Sequence, residues 1–161
     1  MDGRAPDAAS RFIFQSVIPA PARDVFRWHE HPAALLALLP SPWVRIEHLE
    51  GGIRDGALVS LSIGLGPFRI RWDARHFGFI RDRQFCDEQV HGPFAVWRHT
   101  HRVEPLGHRL TLYEDRIDFG LRGGRVANRL GAPLVRRLLE RAFANRHRLV
   151  CEQVCAHALT T

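Results

Sequence analysis

The sequence predicts an α+β domain: a curved antiparallel sheet of about six to seven strands, in the order β-α-α-β6-α, packed on one long C-terminal helix. Three observations lead there. Between residues 43 and 119 one alternating apolar/polar segment follows another, joined by Gly, Pro and Asp links too short for crossover helices. After Gly120, Gly123 and Gly124 the period changes from two to a helical one. Near the N-terminus two short helical stretches lie back to back.

Phe12 to Ile18 (FIFQSVI) reads as the first strand, ended by Pro19 and Pro21. Pro21 suits the first turn of a helix and Asp24 favours its N-terminal end, so a helix is expected to about Glu30. His31 stands before Pro32, which disfavours helical geometry there, and Ala33 to Leu39 forms the second helix of a V. Strands follow over Trp43–Leu49, Ala57–Ile63, Phe68–Ala74, Gln84–Val90, Ala95–Val103 and Leu110–Phe119. Phe68, Ile70, Trp72 and Ala74 share one face, with Arg69, Arg71, Asp73 and Arg75 on the other. The last helix is expected from about Val126 to Ala158, with Leu130, Leu134, Leu138, Ala142 and Leu149 as its inner stripe. Gly131 and Pro133 fall in its first turns, where a proline can break or kink a helix.

A chain of 161 residues suits a single domain, expected over 11–161 after a flexible N-terminus at 1–10. The longest clean apolar run, Ala33 to Leu39, is seven residues, far below the ~20 that span a bilayer, so no integral membrane segment is expected. The N-terminal residues lack the apolar core of a signal peptide, and a cytoplasmic location is expected. Cys86, Cys151 and Cys155 are an odd number without a spacing framework, which suits a reducing compartment. The net charge of +6 comes from 23 basic residues, all of them Arg. They are scattered along strands and helices alike, which argues against a nucleic-acid partner. A monomer or homodimer is expected.

The densest polar pattern lies on the last strands. In Ala95–Val103, Trp97, His99, His101 and Val103 share a face, and Arg98 and Arg102 take the opposite, solvent face. In the next strand Thr111, Tyr113, Asp115, Ile117 and Phe119 share a face that ends apolar and so belongs inside. A turn around Pro105–Gly107 would set His101 opposite Thr111, His99 opposite Tyr113 and Asp115 near Trp97. Three readings of this patch stand side by side. The polar groups satisfy one another in a wall, which is preferred because buried polar groups find partners. Alternatively His99, His101 and Asp115 form a catalytic acid/base set, since histidine titrates near neutrality. The third reading is a metal held by His99 and His101 with Asp115 or His76; with no third ligand at a telling spacing, neither metal nor cofactor is expected. Asp87 and Gln89 either line the pocket mouth or, preferably, pair across the sheet. His147, Cys151 and Cys155 repeat at four-residue spacing and read as helix core ahead of a metal face. No phosphate-binding glycine loop and no nucleophile elbow are present.

Ser16–Trp28 (SVIPAPARDVFRW), Arg83–His101 (RQFCDEQVHGPFAVWRHTH) and Thr111–Phe119 (TLYEDRIDF) resemble the SRPBCC superfamily, the START-like group of polyketide cyclases/dehydrases and lipid-transfer proteins. The resemblance covers nearly the whole chain. It implies the helix-grip fold and an internal pocket, but no particular reaction. The expected function is to bind a hydrophobic small molecule or lipid between sheet and C-terminal helix. The expected lining is Phe68, Ile70, Trp72, Trp97, Thr111, Tyr113, Ile117 and Phe119, with Leu130, Leu134 and Leu138 of the helix. The alternatives are a cofactor-free polyketide cyclase or dehydratase using His99, His101 and Asp115, and a protein-interaction module with a collapsed pocket.

Overall fold

The computed structural model describes residues 10–39 and 43–158. In chain order the elements are β1 (Ser10–Ile18), α1 (Ala22–Glu30), α2 (Pro32–Leu38), β2 (Val44–Glu50), β3 (Leu58–Leu65), β4 (Phe68–Ile80), β5 (Gln84–His91), β6 (Phe94–Gly107), β7 (Leu110–Leu121) and α3 (Gly124–Ala158). The strands form one antiparallel seven-stranded sheet in the order β1-β7-β6-β5-β4-β3-β2. This is the expected α+β helix-grip architecture. Ser10 already belongs to β1, and the rest of the expected flexible terminus lies outside the described residues.

The local causes are those of the sequence. Pro21 caps α1 in extended geometry, and His31 does the same for α2, its ring accepting a hydrogen bond from the Ala33 amide at 3.2 Å. Gly64 has φ of 133° in the tight β3–β4 hairpin, a conformation that side chains rarely adopt. Irregularities between Ile46 and His48, Asp73 and Ala74, and Phe77 and Ile80 bend the sheet. Proline 133 is carried inside α3, which continues through it.

Two expectations fail here. The first is the β6–β7 register. Both arms run on, through Pro105 to Gly107 and from Leu110, so the turn falls at His108–Arg109, two residues later, and every partner shifts by four. His101 faces Asp115, His99 faces Ile117, Trp97 faces Phe119 and Pro105 faces Thr111. An even displacement leaves every side chain on its expected face and changes only its partner.

The second is the inner side of α3. Leu130, Leu134 and Leu138 are 76%, 63% and 57% exposed, while Asn128, Ala132, Phe143, His147, Val150 and Val154 are buried. A strict spacing of four drifts by about 40° per step around a helix, whereas alternating threes and fours hold one face. That face carries Asn128, Arg146 and His147, polar residues that a search for apolar stripes passes over.

Buried residues form two clusters. One joins Phe12, Ile117 and Phe119 to Ala132 and Phe143 of α3. The other joins Ile18, Val25, Phe26, Phe85, Val103 and Tyr113 to Val150 and Val154. Ile117, Phe119, Tyr113 and Thr111 are therefore core, not cavity wall; the Thr111 hydroxyl donates to the Ala20 carbonyl at 2.7 Å. No helix among the described residues is long and apolar enough to cross a membrane.

Candidate functional site

A cavity of about 490 Å³ opens between the sheet face of β3–β6 and the α1–α2 pair. Trp72, Trp97, Val59, Leu61 and Ile63 form its sheet side, Leu35, Leu38 and Leu39 its roof, and Arg146 is the one contribution of α3 among the described residues. Of the expected lining, Trp72 and Trp97 are in place. Phe68 and Ile70 are 85% and 54% exposed at the start of β4 and do not line it. The three leucines of α3 face away. The cavity thus lies beside α3 and under α2, instead of between the sheet and the long helix.

Register places its polar floor. His76 on β4 pairs with Asp87 on β5, which pairs with His99 on β6. One pleat along, Phe85 pairs with His101, which pairs with Asp115 on β7. Period two sends His99 and His101 inward and leaves Arg98 and Arg102 exposed, as expected. Asp87 thus lines the cavity, whereas Gln89 caps the β5–β6 turn, donating to the Phe94 carbonyl at 2.9 Å and accepting from its amide at 3.3 Å.

Asp115, wholly buried, is the hub. Its Oδ1 accepts from His99 Nε2 at 3.0 Å and lies 2.6 Å from His101 Nδ1. Arg146 Nη2 reaches the same His101 nitrogen at 3.4 Å. The other oxygen, Oδ2, accepts from His147 Nε2 at 2.9 Å and pairs with Arg146 Nε at 3.4 Å. His147 Nδ1 in turn accepts from the Ser16 hydroxyl at 2.7 Å. Burial by itself pushes the Asp115 carboxyl up, but the charges of His101 and Arg146 and the bonds from His101 and His147 outweigh it and hold it well below the usual carboxylate range. Burial and the neighbouring His101 hold His99 towards its neutral form. Each imidazole turns its other nitrogen to Asp87 Oδ2: His99 Nδ1 lies 3.4 Å away, and His101 Nε2 donates to it at 3.2 Å.

Sequence reasoning singled out His99, His101 and Asp115, and the fold brings all three together. It undervalued Asp87 and passed over Arg146 and His29. His147 belongs to this network, while the sulfurs of Cys151 and Cys155 lie 4.0 Å apart and Cys151 packs against the core.

His29 donates from Nδ1 to the Val25 carbonyl at 2.8 Å and accepts from the Tyr113 hydroxyl at 3.0 Å. Burial, then the charges of Arg146 and His101, pull its pKa down to about 3, against a weaker upward pull from the Val25 carbonyl and Asp115. An unfolded imidazole protonates near pH 6.5. Between these values the unfolded chain binds more protons, so stability is complete above 6.5 and falls as pH drops through the window. Two pH units below 6.5 remove about 2–3 kcal/mol through this group. Urea unfolding of parent and His29→Gln from pH 6.5 to 4.5 should show the variant losing less by about that amount. Parallel curves would refute it.

No protein-family model and no curated protein matches the chain. Solved structures do. A point mutant of norcoclaurine synthase from Thalictrum flavum, in complex with a transition-state analogue, is 14% identical over 96% of this chain and 99% of that one, with a TM-score of 0.74. The ZhuI aromatase/cyclase from Streptomyces sp. R1128 is 18% identical over 93% of each chain, TM-score 0.62. A START superfamily protein from Mycobacterium smegmatis is 13% identical over 89% of this chain and 96% of that one, TM-score 0.67. The likeness is one of fold, and that fold is START-like.

Proposed function

We propose that this chain of START-like fold binds an apolar small molecule with one polar end. The body of the ligand lies against Trp72, Trp97 and the α2 leucines, and the polar end meets His99, His101 and Asp87. The observation that carries this reading is the cavity of about 490 Å³, lined mainly by apolar side chains, with His76, Asp87, His99 and His101 gathered on its sheet side and Glu30 and His31 at the α1–α2 end. That volume falls within the usual range of small-molecule sites, with few polar groups to fix orientation. An open cavity argues against the collapsed interaction module. Native mass spectrometry of freshly purified protein tests the reading: a small organic molecule should be retained and should be released on denaturation. An empty cavity, with no quenching of tryptophan fluorescence by apolar phenols or carboxylic acids, would count against it.

A second reading, cyclisation or dehydration of the bound molecule, is favoured by one observation. Asp115 takes the proton-bearing Nε2 of His99, leaving His99 Nδ1 as a base toward the cavity side, 3.4 Å from Asp87. A carboxylate that orients an imidazole is the usual support of a general base. The synthase and the aromatase/cyclase among the fold's relatives are in keeping with such chemistry.

A further inference from the structure

Two imidazoles and a carboxylate from neighbouring strands converge on one point of the cavity floor. His99 donates from Nε2 to Asp115 Oδ1, which leaves its Nδ1 free to face Asp87 Oδ2 at 3.4 Å. His101 Nε2 faces the same oxygen and donates to it at 3.2 Å. A metal ion takes the place of such a proton when it binds, since imidazole ligates in its neutral form. Arg146 does not compete for that point, being engaged with Asp115 and Tyr113. From this convergence we infer that Asp87, His99 and His101 form a binding site for a divalent transition-metal ion of the zinc type.

The geometry suits such an ion. Bonds of about 2.0–2.1 Å at the tetrahedral angle hold neighbouring ligand atoms about 3.3–3.4 Å apart. Asp87 Oδ2 is 3.2 Å from one imidazole nitrogen and 3.4 Å from the other, and the three ligand atoms all lie within 4.8 Å of one another. Two imidazoles and a carboxylate are the donor set that first-row ions such as zinc and ferrous iron take. Behind them, Asp115 Oδ1 accepts from the far nitrogen of His99 and lies 2.6 Å from that of His101, the kind of support that fixes ring orientation at metal sites. Three protein ligands leave a coordination position open, and all three residues line the cavity. There, directly across from Asp87, the buried Nδ1 of His76 has no hydrogen-bond partner among the described residues, a polar atom available to a water or ligand group on the ion. The expectation of no metal rested on a missing third ligand. Asp87 supplies it from the neighbouring strand.

The inference shares its residues with the proposed cavity floor but does not depend on the apolar ligand. The test therefore uses metal alone. The full chain is stripped with a chelator, dialysed and titrated with Co(II), followed by competition with Zn(II). One cobalt per chain with visible d–d bands, displaced by zinc, is expected. Asp87→Asn and His99→Ala should each weaken binding by more than about 100-fold, beyond the loss typical of a supporting residue, and His48→Gln should leave it unchanged. Zinc should raise the melting temperature of the parent and not of Asp87→Asn, which keeps the side-chain shape. Absent bands, or bands that survive both substitutions, would overturn the site. Retention of an organic molecule by chelator-stripped protein would leave the cavity reading standing in that event.

Discussion

Asp115→Asn is expected to destabilise the protein by about 3–5 kcal/mol, the cost of removing one partner from a buried charge network. The carboxylate is completely buried and receives four groups, from His99, His101, His147 and Arg146. An amide has the same outline but one acceptor oxygen, and its NH2 would confront an imidazole N–H that now donates. Arg146 would keep its charge with no carboxylate in contact, left with the Tyr113 hydroxyl at 3.5 Å and His101 Nδ1 at 3.4 Å. Urea denaturation at neutral pH measures the loss, and Arg146→Met made in the Asp115→Asn background should recover part of it. A coupling above about 1 kcal/mol between the two sites is expected, since they share a network. A loss below about 1 kcal/mol for Asp115→Asn would mean that the hub is not charged in the folded protein.

The second large effect separates binding from catalysis, measured with chelator present so that the imidazoles act alone. Trp97 is half-buried on the cavity wall, in edge contact with Trp72 at 5.0 Å and near Phe94 at 4.8 Å between ring centres. Truncation to Ala removes roughly 100 Å² of apolar contact, about 2.5 kcal/mol, or some 50- to 100-fold in affinity for an apolar ligand. His99→Gln or His101→Gln keeps a hydrogen-bonding end, so affinity should fall by less than about tenfold. If either imidazole moves a proton, the same Gln variants should bind normally and lose about 10²–10⁴-fold in turnover. Ligand titration of the folded fraction, confirmed by thermal melting, decides between them. Histidine variants that bind far worse than Trp97→Ala would contradict the proposed division of the cavity into apolar walls and polar floor.

Much of the fold was legible in the sequence because its signals are local. Period two along Ala95–Val103 determines that Trp97, His99 and His101 share a face opposite Arg98 and Arg102, whatever the rest of the chain does. Pro21 and Pro32 mark the starts of α1 and α2 through backbone geometry alone. The three residues placed in the catalytic set, His99, His101 and Asp115, do meet.

What the tertiary structure decided is where separate elements face one another. The β6–β7 pairing depends on where the turn closes, and no local rule distinguishes a turn at Pro105–Gly107 from one at His108–Arg109, which shifts every partner by four. The inner face of α3 is partly polar, since Arg146 and His147 reach Asp115, so hydrophobic periodicity pointed to leucines that lie in solvent. Asp87 meets His99 and His101 only because β5 lies beside β6 in this register. A strand's own sequence determines which side chains point inward; which residues then share a cavity floor is settled by the alignment of neighbouring strands and helices, a property of the whole packed chain.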